Sequence, residues 1–412
     1  MQYYSSPMAK LNHHFSKLSC NYLFPEIEKR VAAYRQKTPN CKLMDLGIGD
    51  ITQPLPASAV AALAGAAHEM GKPGAFRGYG PSEGYAFLRE AIASVEYAGL
   101  GIDPSEIFIS DGAQSDIANF QELFDVDNRI AIPDPTYPVY LDSNVIAGRT
   151  RALLKTGRHG GVTYLPCTEE NEFKPQVPTL SIDLIYLCSP NNPTGTAMDR
   201  ELLKQWVGYA RENKAILLLD GAYSAFITDP DAPQSIFEIE GAREVAVEFR
   251  TFSKSAGFTG LRCSYTVVPK DLKIYDFGSI HSLHALWNRR HATKFNGVAY
   301  PIQRAAAALF TPQGQKEVKT LVSSYLERAR LFRQGLANLG YTVYGGKDSP
   351  YLWCRTPPKI SSWDFFDYLL QNHQIVSIPG SGFGHAGEGF IRFSAFADSS
   401  ALGEALQRLK SG

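Results

Sequence analysis

At 412 residues, with 44% hydrophobic and 20% charged side chains, the chain exceeds one comfortable hydrophobic core, so two lobes are expected. Forty-one basic and forty-one acidic side chains cancel, and no basic stripe follows a phosphate backbone, which excludes nucleic acid as an expected partner. No stretch approaches the roughly 18 consecutive apolar residues that span a bilayer, and Met1-Gln2-Tyr3-Tyr4-Ser5-Ser6 lacks a signal-peptide pattern, so no membrane partner and a cytoplasmic location are expected. The cysteines at 20, 41, 167, 188, 263 and 354 form no C-x-x-C pair, which suits buried thiols in a reducing compartment rather than a disulfide frame or zinc site.

Short apolar runs alternate with helix-like stretches, the pattern of an α/β fold on a mainly parallel sheet. The first expected strand, 106–110, runs into Ser110-Asp111-Gly112-Ala113-Gln114-Ser115-Asp116, where backbone N–H groups at a helix start face an anion. A second strand is expected over 129–132. A third, 184–187, is followed by Ser189-Pro190-Asn191-Asn192-Pro193-Thr194-Gly195, a sharp turn from which Asn192 can donate to a phenolic oxygen; the same residues also suit an ordinary turn. The run 215–219 ends at Asp220, a carboxylate costly to bury unless it meets a cation such as a protonated pyridine nitrogen, or unless it caps a helix. Tyr223 reaches the same ring from its edge.

After the strand 245–248 comes Thr251-Phe252-Ser253-Lys254, and eight residues later Arg262. A hydroxyl, a lysine and an arginine with small residues between them form a phosphate cup plus an amine able to form a Schiff base. A last strand of this series is expected over 265–268. His281, His284 and His291 have no Cys or carboxylate spacing to complete a metal set and read as surface residues of a helix, so no metal is expected. From about Ser323 an amphipathic helix (Tyr325, Ala329, Leu331, Leu336) precedes short strands near 341–344, 351–354 and 390–393; Gly345-Gly346-Lys347-Asp348-Ser349 reads as a turn. These elements predict a large domain over 55–297 and a smaller α+β domain from 1–54 and 298–412, with the binding cleft between them.

Taken together, these motifs resemble the fold-type I aminotransferases that depend on pyridoxal 5′-phosphate (PLP), and more narrowly the LL-diaminopimelate aminotransferase family. The likeness runs from Asn21-Tyr22-Leu23-Phe24 through Leu46-Gly47-Ile48-Gly49-Asp50, Gly78-Tyr79-Gly80, Asp134-Pro135-Thr136-Tyr137-Pro138, Lys294-Phe295-Asn296-Gly297 and Pro379-Gly380-Ser381-Gly382-Phe383-Gly384. It implies that Lys254 carries PLP as a Schiff base, Asp220 pairs with the ring nitrogen, Tyr137 stacks on the ring, and Asn192 and Tyr223 hold its O3′. It further implies that Thr251, Ser253, Arg262 and the amides of Ala113 and Gln114 form the phosphate site. Tyr79 would reach in from a second subunit, giving a homodimer. Arg392 would grip the substrate α-carboxylate, with Tyr22, Gly49 and Asn296 completing the pocket, and amino acid and oxo acid, 2-oxoglutarate as acceptor, would be the substrates.

Two departures fall where the family reads the far end of its substrate. Lysine is usual at the Gln114 position and an acidic residue at the Ser82 position, and here both charges are missing; removing the partner of a buried charge costs about 3–5 kcal/mol. Glu83 is the nearest acidic substitute. A relative that acts on a lysine- or ornithine-like amino acid, or a specialised-metabolism enzyme doing elimination, replacement or cyclisation, is the alternative expectation. A PLP-binding regulator would need a spare DNA-binding segment, and none is read in these residues.

Overall fold

The computed structural model describes residues 9–18, 23–47 and 49–410; Tyr22, Cys20 and Ile48 lie outside the described residues. Seven strands form the main sheet in the spatial order Ile107–Ser110, Ser264–Val267, Ala246–Thr251, Ile216–Asp220, Leu184–Cys188, Ile130–Asp134, Val162–Pro166. Ser264–Val267 is antiparallel to both of its neighbours, and the other adjacent strands pair in parallel. The carboxyl ends of six strands and the amino end of Ser264–Val267 therefore share one edge, where open parallel sheets bind their ligands.

Alternate residues of the central strands feed two cores. Ile185, Leu187, Leu217 and Leu219 face one, with Trp206 of the helix Arg200–Asn213 and Ala305 and Ala306 of the helix Tyr300–Ala308. Leu184, Tyr186, Ile216 and Leu218 face the other, with Ile117, Phe120 and Trp287. Burial on both faces explains why these strands are uninterrupted apolar runs. Asp199 starts Arg200–Asn213 by accepting from the Leu202 amide at 2.9 Å, and the left-handed Lys214 ends it.

Six strands lie where the sequence places them, with ends shifted by a few residues. Val162–Pro166 was not anticipated, because an edge strand buried on less of its surface needs no continuous apolar run. Ala246–Thr251 runs on past Glu248 because the polar residues inside it are matched. Tyr97 donates to Glu248 at 2.7 Å, and Arg250 donates to Glu96 at 2.8 Å and lies 3.7 Å from Glu248. Such matching is what makes buried charge tolerable.

A second, antiparallel sheet has the order Val343–Gly345, Tyr351–Arg355, Phe390–Ser394, Ile378–Pro379, and the short strand Met44–Asp45 pairs in parallel with Ile375–Val376. The preceding helix spans Pro312–Asn338, starting well before Ser323: Thr311 caps it through the Gly314 amide at 3.1 Å, and its mostly polar first turns carry no apolar stripe to read. Tyr325, Ala329, Phe332 and Leu336 form its buried stripe, whereas Leu331 is 51% exposed, one residue off that face. The histidine reading is likewise corrected at His291. The helix Leu283–Lys294 turns Leu283, Trp287 and His291 inward at i, i+4 and i+8, and His291 is buried against the Ile109 carbonyl at 3.2 Å.

Gly345 and Gly346 have φ of 69° and 70° in the turn before Tyr351–Arg355. A Cβ on Gly345 would lie 2.5 Å from the Thr194 carbonyl oxygen, so glycine permits the second sheet to abut the Asn192 loop. Among the described cysteines, Cys167, Cys188, Cys263 and Cys354 are buried free thiols and Cys41 is a half-buried one. No helix among the described residues is long and apolar enough to cross a membrane. Trp206 is fully buried under the sheet; Trp206→Ala is expected to cost roughly 3–5 kcal/mol, read as a lower urea midpoint in circular-dichroism unfolding.

Candidate active site

At the ligand-binding edge of the main sheet lies a cleft of about 310 Å³. It gathers twelve of the residues singled out from sequence: Gly49, Ala113, Gln114, Tyr137, Asn192, Asp220, Tyr223, Thr251, Ser253, Lys254, Arg262 and Arg392. Asp220 ends the central strand, Asn192 follows Leu184–Cys188, Tyr137 follows Ile130–Asp134, and Ala113 opens the helix Ala113–Phe120 that follows Ile107–Ser110. Arg262 arrives from the other direction, two residues before the one antiparallel strand begins. Tyr79, 92% exposed, and the exposed Asn296 do not line the cleft, and Ser82 lies outside it.

Asp220 is buried, accepting from the Tyr140 hydroxyl at 2.7 Å and the Ala222 amide at 2.9 Å, with no cationic side chain within ion-pair distance among the described residues. Burial pushes its carboxyl above the usual carboxylate range. A cationic ring nitrogen is the partner this carboxylate lacks. Tyr223 is held by a hydroxyl–hydroxyl contact with Tyr351 at 2.7 Å, and burial with the nearby Tyr351 phenol raises it well above the ordinary phenol range.

Lys254 sits in the one-turn helix Phe252–Ser255, which Thr251 caps by accepting from the Ser253 amide at 3.1 Å. Its amine donates to the Gly49 carbonyl. Burial lowers its pKa to about 8, aided by the charges of Arg392 and Arg262 and opposed by Asp50. A neutral amine is therefore within reach near physiological pH, the condition for nucleophilic attack and base work.

The anion-binding groups converge on one side. Arg262 has a left-handed backbone, φ 59°, a conformation a non-glycine residue adopts at a cost of about 1–3 kcal/mol. Its guanidinium reaches the Thr259 carbonyl at 3.1 Å and Ser253 Oγ at 3.5 Å. It also packs on the start of Ala113–Phe120: a Cβ on Gly112 would sit 2.1 Å from Arg262 Nη2. The free amides of that helix start, Ser253 and Arg262 can together hold a phosphate.

Arg392, 1% exposed, lies within Phe390–Ser394. It donates to Asn192 Oδ1 at 2.5 Å and to the Gly47 carbonyl at 2.8 Å, and its guanidinium lies 4.2 Å from the Tyr351 ring centre. Among the described residues Nε has no partner, which leaves an unmatched buried donor on a side chain that lines the cleft. Because Asn192 uses its carbonyl on Arg392, its amide nitrogen is left for the cleft. The missing pyridinium at Asp220, the amine at Lys254 and the anion cup at Arg262 together fit PLP.

Sequence reasoning missed Phe24, Asp50, Tyr140, Cys188, Ala222, Thr259 and Tyr351, which also line the cleft. Tyr140 had a signal, three residues beyond Tyr137 at the start of the helix Val139–Ala147; Tyr351, on a strand of the second sheet, had none. Imine formation between the cofactor-free protein and a simple aromatic aldehyde is expected to rise to a plateau through a pH of about 8 as the Lys254 amine loses its proton. Lys254→Ala should remove that component and leave only the imine formed by exposed amines, with absorbance of the imine as the measure.

A profile of the family described as aminotransferase class I and II matches residues 41–409. The LL-diaminopimelate aminotransferase of Desulforapulum autotrophicum is 54% identical over 406 residues, 98% of this chain and 99% of that protein. That of Methanosphaera stadtmanae is 51% identical over 403 residues, 97% and 98% of the two chains. The solved structure of L,L-diaminopimelate aminotransferase from Chlamydomonas reinhardtii superposes with a TM-score of 0.93 at 44% identity, covering 99% of both chains. By its sequence and its fold, the chain belongs to the class I and II aminotransferases, PLP-dependent enzymes that pass an amino group between amino acids and oxo acids.

Proposed function

We propose that this enzyme moves the α-amino group of LL-2,6-diaminopimelate to 2-oxoglutarate, with PLP held on Lys254. The observation that supports this most is the convergence of Lys254, Asp220 and Arg392 in one cleft of a chain whose relatives carry that name. Bound PLP supplies an electron-poor ring that takes up the electron pair left when the α-proton departs. Asp220 keeps the ring nitrogen protonated, and its own buried charge is matched in return. Lys254 would take the α-proton at Nζ, a role its lowered pKa suits. Asn192 and Tyr223 hold O3′, Tyr137 covers the ring face, and Thr251, Ser253, Arg262 and the amides of Ala113 and Gln114 hold the phosphate. Arg392, with Gly49, binds the α-carboxylate.

Tyr79 and Asn296 lie away from the cleft of their own chain, so their expected roles belong to a homodimer in which each site borrows them; Tyr22 is assigned to the substrate pocket on the resemblance alone. Two lobes meet at the cleft, one beginning near residue 55. We take the large domain as 55–297 and the smaller one as 1–54 and 298–412, with the helix Tyr300–Ala308 packing back onto the core of the main sheet. A cytoplasmic location accords with the free thiols.

The far end of the substrate is read by neutral groups. Gln114 Oε1 accepts from the Tyr137 hydroxyl at 2.7 Å, which leaves its amide nitrogen to donate to a distal carboxylate. Ser82 lies 3.2 Å from Glu83, which is in turn 3.6 Å from Arg89. This neutrality favours the second reading, a donor without a second carboxylate. Single-turnover reaction of the PLP-loaded enzyme with a panel of amino acids decides between them, and LL-diaminopimelate is expected to react fastest. A faster lysine or ornithine would establish the second reading, and loss of ammonia without amino transfer would overturn both. Asp220→Ala is expected to lower kcat by roughly two to four decades, the equivalent of about 3–5 kcal/mol for an unpartnered buried charge.

A further inference from the structure

The phosphate site proposed above is assembled from separate pieces of chain: the start of Ala113–Phe120, the Ser253 turn, and Arg262 just ahead of Ser264–Val267. A phosphate is gripped well only if these pieces keep their spacing, since charge-assisted hydrogen bonds lose strength with small errors in length and angle. Between two of them lies Asp116, in the first turn of the helix and only 3% exposed. Its Oδ2 accepts from the Ser110 hydroxyl at 2.5 Å and from the Thr266 hydroxyl at 2.6 Å. Ser110 Oγ is also 2.6 Å from Ser264 Oγ, its register partner across the strand pair.

All four side chains are buried, so these bonds are shielded from exchange with bulk water. Burial pushes the Asp116 carboxyl up to about 7, opposed by the two hydroxyls. The charged groups around it are Asp111 and Arg290, and Glu122, His291 and Lys294 line the same polar cavity beside the helix. Asp116 does not line the cleft that holds Lys254, so it does not touch the reacting atoms.

We infer that Asp116 is the positioning residue of the phosphate site: by accepting the Ser110 and Thr266 hydroxyls, it ties the helix that presents the Ala113 and Gln114 amides to the strand that follows Arg262. The close contact of Gly112 with Arg262 means that a slip of the helix also displaces the guanidinium. The inference rests on the reading of Ser253, Arg262 and the helix amides as the phosphate site.

The test compares the affinity of the cofactor-free protein for PLP and for pyridoxal, which carries the same aldehyde and ring without the phosphate, by titrating the absorbance of the lysine-bound aldehyde. Asp116→Ala is expected to weaken PLP binding by thirtyfold or more while pyridoxal stays within about twofold. Asp116→Asn, which keeps an oxygen where both hydroxyls point, is expected to recover most of the loss. If Asp116→Ala does not fold, the pair Ser110→Ala with Thr266→Val removes the same two bonds and is expected to weaken PLP about tenfold with pyridoxal unchanged. Unchanged PLP affinity, or an equal loss for PLP and pyridoxal, overturns the inference. Arg262→Lys separates the two levels. If it fails to narrow the preference for PLP over pyridoxal, the phosphate site itself is misplaced; if it narrows the preference and the Asp116 variants do not, only the role of Asp116 falls.

Discussion

A carboxylate at the end of the central strand, buried on both faces of the sheet, is costly to ionise, and among the described residues Asp220 is met there by a phenol and one backbone amide. Among the described residues no arginine or lysine lies within ion-pair distance of it. Because the strand is central and parallel, its end is fixed by pairing on both sides, and the carboxylate cannot swing out to water. A fixed, under-matched carboxylate of this kind suits a cationic heteroaromatic ring.

The rest of the cleft divides the work by charge. Arg262, beside the amides of the Ala113–Phe120 helix start, is able to take an anion, and Arg392, bonded to Asn192 and packed on the Tyr351 ring, is able to take another. Lys254 lies in the field of both guanidinium groups, which with burial brings its amine toward neutrality, while Asp50 works against them. The cations able to hold anions in the cleft thus also lower the pKa of the lysine between them.

Holding such charges requires a stiff frame, and the frame is polar as well as apolar. The Tyr97, Glu248, Arg250 and Glu96 set locks the strand that delivers Lys254. Backbone contact between Gly345 and the Thr194 loop brings the second sheet against the first, which is how Arg392 reaches a cleft built mostly from the other sheet. Glycine is demanded there by the approach distance and not by flexibility.

Local chemistry was enough to read much of this from the chain. Fully buried parallel strands must be continuous apolar runs, so 184–187 and 215–219 were legible, and the polar residues just past them, Asn192 and Asp220, stood out because nothing apolar explained them, as did Lys254 beyond the strand 245–248. Strand Val162–Pro166 and the first turns of Pro312–Asn338 were hidden because edge strands and capped polar helix starts are stabilised without a hydrophobic pattern. Tyr351 joined the site only through tertiary structure, since its partner Tyr223 is distant in sequence, and the partners of Tyr140 and Asp50, Asp220 and Lys254, are equally remote along the chain. Likewise the sequence by itself determined which residues carry charge and which strands are buried, because those depend on side-chain type and local period. Which charges face one another, and that His291 turns inward while Tyr79 turns out, was decided only by the fold, because a hydrogen bond or an ion pair is a matter of a few ångströms between segments that the chain order does not bring together.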